Sequence, residues 1–96
     1  MKKFILLYVG YEEPTQEIKA AWGKWHESIA DMLVDSGNPF GAAKEISHDG
    51  TKDLPLGLDA ITGYSIINAQ DLDEAAKIAA GCPTITSVRV YEAMPM

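Results

Sequence analysis

One histidine stands inside an apolar pattern. His26 lies one helical turn after Trp22 and just before Ile29, at the margin of the series Ile18, Trp22, Trp25, Ile29, Met32 and Leu33. A neutral imidazole held beside two indoles suits a general acid or base near pH 7. It suits equally a boundary histidine that bonds a backbone carbonyl between helix and sheet. Arg89 and Tyr91 share one side of a strand, alternating with Val88 and Val90. Facing an inter-subunit cavity they would anchor a small anionic or aromatic ligand; facing Glu45 or Glu92, Arg89 would only close an edge ion pair. Tyr64 and Tyr8 either line the same cavity or pack in an interface, where tyrosine is favoured.

The remaining reactive side chains offer less. Glu27 and Asp31, and Asp31 and Asp35, share helix faces, but no histidine stands in register with them, and such runs are usually solvated surface. No metal and no cofactor is expected, since nothing resembles a phosphate loop, a nucleophile elbow or a zinc cluster. Cys82 follows a helix C-terminus, whose negative end keeps a thiol protonated. Trp22 and Trp25 read as core anchors.

These residues must be positioned by a small set of elements. Phe4 to Val9 is a β-rich run closing on Gly10. Glu12, Glu13 and Pro14 open a helix, and its apolar spacing continues to about Ser36, with Gly37 as the stop. Phe40 to Ile46 reads as a second strand whose Lys44 and Glu45 suit a sheet edge. Ser47 to Asp59 reads as a loop and Ile61 to Asn68 as a third strand. Asp71 and Glu74 make a capping-box-like start to a second helix. Leu72, Ala75, Ala76, Ile78 and Ala79 give that helix a small-residue face, Gly81 and Pro83 end it, and Ile85 to Tyr91 is the last strand. The expected fold class is α+β: a ferredoxin-like βαββαβ domain with a four-stranded antiparallel sheet and two helices on one face. The apolar first and third strands belong in its centre, with the charged second and fourth at the edges.

Ninety-six residues with 47% hydrophobic content fit a single domain, 1–96. A formal charge of −6 and only eight Lys and Arg argue against nucleic acid as a partner. Cys82 is the only cysteine, which suits a reducing, cytoplasmic location. Met1 to Val9 resembles the start of a signal peptide, yet its apolar run is too short and Glu12-Glu13-Pro14 replaces a cleavage site. No stretch approaches the roughly 20 apolar residues of a membrane span, so no membrane partner is expected.

The central strands present apolar side chains on both sides: Phe4, Leu6 and Tyr8 against Ile5, Leu7 and Val9, and Ile61 and Ile67 against Tyr64 and Ile66. Two helices on right-handed crossovers cover one side only. The other must meet a second copy of the chain, giving a homodimer through the sheet face, or an apolar ligand in a monomer.

Gly63-Tyr64-Ser65-Ile66-Ile67, Asp71-Leu72-Asp73-Glu74-Ala75 and Ser87-Val88-Arg89-Val90 together resemble the YCII-related (DGPF-domain) family, over about Lys3 to Met94. The resemblance implies a ferredoxin-like fold and dimers packed sheet to sheet, as in dimeric α+β barrels. It also implies, for one branch, an enzymatic His–Asp pair; His26 sits where that branch's histidine falls. The chain departs from the pattern twice. Cys82 precedes Pro83 where the branch has its acid, and Asp53-Leu54-Pro55-Leu56 stands in place of Asp-Gly-Pro-Phe.

Three functions remain open. One is a dimer binding a small molecule in a cavity near the sheet face, lined by tyrosines and Arg89. Another is a lyase-, isomerase- or hydrolase-like enzyme with His26 as general acid or base, which needs a carboxylate from Glu27, Asp31 or Asp53. The last is a purely structural dimerisation module with a filled interface.

Overall fold

The computed structural model describes residues 1–95. Its elements are β1 (Lys2–Val9), α1 (Gln16–Ser28), β2 (Leu33–Asp35), β3 (Ala43–Ser47), β4 (Gly50–Leu54), β5 (Ile61–Ala69), α2 (Leu72–Ala79) and β6 (Ser87–Ala93). A four-stranded sheet runs in the order β2-β5-β1-β6, with every neighbouring pair antiparallel, and β3 and β4 form a separate hairpin. The architecture is thus a small α+β fold compatible with the ferredoxin-like arrangement. The two most apolar strands, β1 and β5, occupy the centre.

Alternation along the central strands separates two faces. Phe4, Leu6, Tyr8, Ser65, Ile67 and Ala69 are buried on one of them. Trp25, Ile29, Ala75 and Ala79 join them in a single core, which places both helices on that face. Ala75 and Ala79 let α2 lie close to the sheet, whereas Leu72 and Ala76, expected on the same face, are exposed. Around the helix axis Leu72 and Ala76 fall to one side of Ala75 and Ala79, and so reach the rim of the covered face rather than the core.

Helix α1 is shorter than its apolar spacing suggests. Thr15 is its N-cap, with Oγ1 accepting from the Ile18 amide at 3.2 Å, so Glu12 to Pro14 precede the helix. It ends at Ser28, not near Ser36. Beyond it, the Met32 and Leu33 amides donate to the Ile29 carbonyl at 2.9 and 3.2 Å. These turns carry Ile29, Met32 and Leu33 toward the core at helical spacing after the regular helix has stopped. Leu33–Asp35 then turns into the edge strand β2, with Leu33 opposite Ile67.

The second strand expected at Phe40–Ile46 is therefore corrected. The sheet edge is β2, and Lys44 and Glu45 belong to the hairpin, which also occupies part of the expected loop Ser47–Asp59. Lys44 meets Asp53 at 2.7 Å and Lys52 meets Glu45 at 3.4 Å across its strands. Every residue from Ala43 to Leu54 is exposed, so the hairpin stands away from the sheet. It lengthens the molecule: the radius of gyration is 14.3 Å, against about 12.5 Å for a compact chain of this length.

Two glycines are fixed by backbone demands. Gly37 (φ +81°) turns the chain out of β2 directly over the Tyr64 carbonyl, leaving no room for a Cβ. Gly10 (φ +109°) ends β1 against Ile85 and Thr86.

On the second face of the sheet, register sets Ile66, Ile5 and Tyr91 in one row and Tyr64, Leu7 and Arg89 in the next. Ile5, Leu7, Tyr64 and Ile66 are only half-buried, and Arg89 and Tyr91 are exposed. No helix lies over these rows.

Candidate functional site

Where β1 and β5 approach their ends, the ladder breaks register. Tyr8 pairs with Gly63 and Val9 with Ile61, leaving Thr62 as the extra residue of a bulge. The Thr62 hydroxyl is 3.1 Å from the Gly10 carbonyl, which anchors the distorted end. Across from it runs α1, whose positions Ile18, Trp22 and His26 recur at four-residue spacing and so share one stripe. The third wall is the chain from Ser36 to Phe40, held by the Phe40 amide donating to the Thr62 carbonyl at 2.8 Å and by a bridge between Pro39 and Gly63.

Between these walls lies a cavity of about 580 Å³, within the range of small-molecule sites. Its lining is mainly apolar and includes Tyr8, Tyr11, Trp22, Phe40 and Tyr64, with the Tyr64 side chain on the opposite face of the sheet from Tyr8. Tyr8 and Trp22 meet edge to face at 4.6 Å, and Phe40 stacks on Tyr64 at 5.7 Å. Trp25, by contrast, is a core residue. The two indoles expected to do the same work thus divide it: Trp25 packs the core and Trp22 walls the cavity.

His26 borders the cavity with its ring 6.0 Å from Trp22 and 5.3 Å from Trp25, centroid to centroid. Its Nε2 is closed off from solvent and has no hydrogen-bond partner among the described residues. None of the carboxylates considered for it serves. Glu27 and Asp31 are exposed, and Asp53 is engaged by Lys44 on the hairpin.

Tyr8 is tied differently. Its hydroxyl donates to Ser65 Oγ at 2.7 Å, and Ser65 in turn donates to the Ser36 carbonyl at 2.7 Å. Burial pushes the Tyr8 phenol up to about 12, outweighing the opposing effect of the Ser65 hydrogen bond. The phenol stays neutral, and its oxygen keeps acceptor capacity. Cys82 is buried as well, and burial pushes its thiol up to about 12. The sequence suggests the same direction, although the cause is desolvation rather than the helix end.

Of the residues singled out by type and spacing, the fold brings His26, Tyr8 and Tyr64 to this cavity. Tyr64 also donates from its hydroxyl to Asp35 Oδ2 at 3.3 Å. Arg89 and Tyr91 do not line this cavity within the chain; they lie on the open sheet face, the side where an inter-subunit cavity would form. Glu45 pairs with Lys52, and Glu92 meets Lys2 at 3.9 Å. Arg89 therefore has no ion-pair partner among the described residues. Trp22, Gly23 and Phe40 were not anticipated as lining. The four-residue spacing of Ile18, Trp22 and His26 was the available signal for Trp22; nothing local announced Phe40, which reaches the site through the bridge to β5.

Among the described residues no group of three or more His, Cys, Asp or Glu is placed to hold a metal ion, and no helix is long and apolar enough to cross a membrane. No protein-family model and no curated protein matches the chain.

Proposed function

We propose that this protein binds a compact small molecule in the cavity between α1 and the end of the sheet, and that it works as a homodimer paired through the open sheet face. The observation that carries the reading is the cavity of about 580 Å³ with its aromatic walls and one unspent hydrogen-bonding atom on His26. A largely apolar cavity with a few converging polar groups is the usual form of a small-molecule site. A purely structural module has no use for one.

The pairing is supported by the rows Ile66–Ile5–Tyr91 and Tyr64–Leu7–Arg89. Their apolar centre faces outward with no helix above it, and contiguous patches of this kind usually mark an interface. Arg89 and Tyr91 then serve the interface, where both residue types are favoured. Sheet-to-sheet pairing is also what the resemblance to the YCII-related family implies, and membership of that family is part of this proposal, as is a cytoplasmic location.

A second reading has one observation in its favour. His26 borders the cavity, and its shielded Nε2 has no partner among the described residues, so an imidazole acid or base stands at the wall. It lacks a carboxylate to orient the ring, so binding is the preferred reading.

Ultrafiltration of the protein with a small-molecule cell extract, followed by mass spectrometry of what is retained, tests the binding. We expect at least one compound held by the wild type and released by Trp22→Ala. Retention of nothing, or equal retention by both, overturns it. Light scattering after size exclusion at micromolar concentration should give twice the chain mass; a monomer ends the pairing.

A further inference from the structure

We infer that the ligand of this cavity is a flat, uncharged aromatic ring system with one hydrogen-bonding group, laid against the bare backbone of α1 at Gly23 with that group toward His26. The inference rests on the small-molecule reading above and names the class of molecule.

Gly23 carries the placement. It stands in the interior of α1, where glycine costs about 1 kcal/mol relative to alanine. Neither of the usual reasons for glycine holds. Its φ is not positive, and no atom lies within 4 Å of where a Cβ would sit. Gly63, which also borders the cavity, differs: a Cβ there would come within 3.2 Å of the Asn38 carbonyl oxygen. Gly23 faces the cavity and nothing else that would explain it. Gly23 is exposed, and its missing side chain leaves the helix backbone bare at the rim of the cavity, beside Lys19 and His26 one turn away on either side.

The chemistry of the walls narrows the occupant. On the α1 side Tyr8 and Trp22 meet edge to face and present ring surface to the cavity, which favours another ring over a saturated body of the same bulk. His26 adds one polar demand, because a shielded nitrogen without a partner gains from any group that can bond it. Charge is not asked for. Glu12 and Lys19 are the charged lining residues, opposite in sign and both exposed, so no buried cation awaits a carboxylate or phosphate.

Three probes of one shape separate these terms: 1-naphthol, naphthalene and decahydro-1-naphthol, the saturated counterpart. Titration of the full chain is followed by the backbone amide shifts of Gly23 and Gly63. We expect 1-naphthol to bind about tenfold more tightly than naphthalene, as one added hydrogen bond allows, and about tenfold more tightly than the saturated alcohol. His26→Phe should remove the preference for 1-naphthol over naphthalene while naphthalene still binds. Gly23→Leu should unfold at or above the wild-type temperature yet lose all three probes. Gly23→Ala, a smaller change that keeps the helix, should raise the unfolding temperature and weaken binding.

Equal binding of the saturated alcohol, or a preference that survives His26→Phe, overturns the ligand class. Wild-type binding by both Gly23 variants overturns the placement. If no probe shifts the cavity amides while a compound from cell extract is retained, this inference falls and the binding reading stands. Silence in both experiments removes both.

Discussion

The two faces of the sheet are built from similar side chains and meet different fates. On the helix-covered face, Phe4, Leu6 and Ile67 are 0% exposed, and even the polar Ser65 is fully enclosed with its hydroxyl bonded at both ends. On the other, Ile5, Leu7 and Ile66 keep part of their surface in water, with Tyr91 54% exposed beside them. The first face spends its apolar area on holding one chain together. The second retains area that only another molecule can remove from water. Apolar content alone therefore says nothing about which face stabilises the monomer; the position of the helices does.

Substitutions read that contrast directly. The largest effect is expected at the closed face: Phe4→Ala should cost about 3–5 kcal/mol in chemical denaturation, because both transfer and cavity terms apply. A loss under 1 kcal/mol would mean that this face is not the core. Next comes the open face. Ile66→Lys should leave the monomer's unfolding within about 1 kcal/mol of wild type, since its long side chain can reach water, while converting a dimer to monomer in light scattering at micromolar concentration. If the lysine variant instead fails to fold, the open face belongs to the chain's own core and the contrast is gone.

The smallest effect, at any pH below about 10, is a pH dependence confined to the closed face. Tyr8 and Cys82 hold their protons up to about 12 in the folded state, whereas the unfolded chain releases them near 10 and near 9. With folded values raised, their contribution is intact below pH 9 and declines as pH climbs toward 12. Each group removes about 1.4 kcal/mol per pH unit within its own window. Urea unfolding between pH 8 and 11 should show the decline beginning near 9, and Cys82→Ala should move its onset toward 10. A flat profile would place both side chains in contact with water.

Much of this arrangement was legible in the chain. Alternation along Phe4–Val9 and Ile61–Asn68 identified the central strands and their doubled apolar character. The Asp71–Glu74 pair marked the start of α2, where Glu74 donates its amide to Asp71 Oδ1 at 2.8 Å. The edge strand was not legible. Leu33–Asp35 is three residues long and hides inside a helical spacing that the turns after Ser28 preserve. The hairpin left a weak signal: Asp49 sits in the two-residue turn His48-Asp49 and Gly50 pairs with Ser47 just after it, but the surrounding Gly, Asp and Pro read more simply as loop. At the site, His26 and Tyr8 stood out by type. Phe40 and Thr62 did not, because a bulge and a cross-chain bridge bring them there.

Local order in the sequence determined the two central strands and the start of α2, which of their sides are apolar, and that His26 would stand at the edge of an apolar stripe. Those properties depend on neighbours a few positions away, where backbone periodicity operates. The tertiary structure alone decided that Arg89 and Tyr91 part company with Tyr8 and His26, and that a cavity opens where β1 and β5 lose register. Both depend on strand pairing between residues more than fifty positions apart, and no short-range pattern encodes how such ends meet.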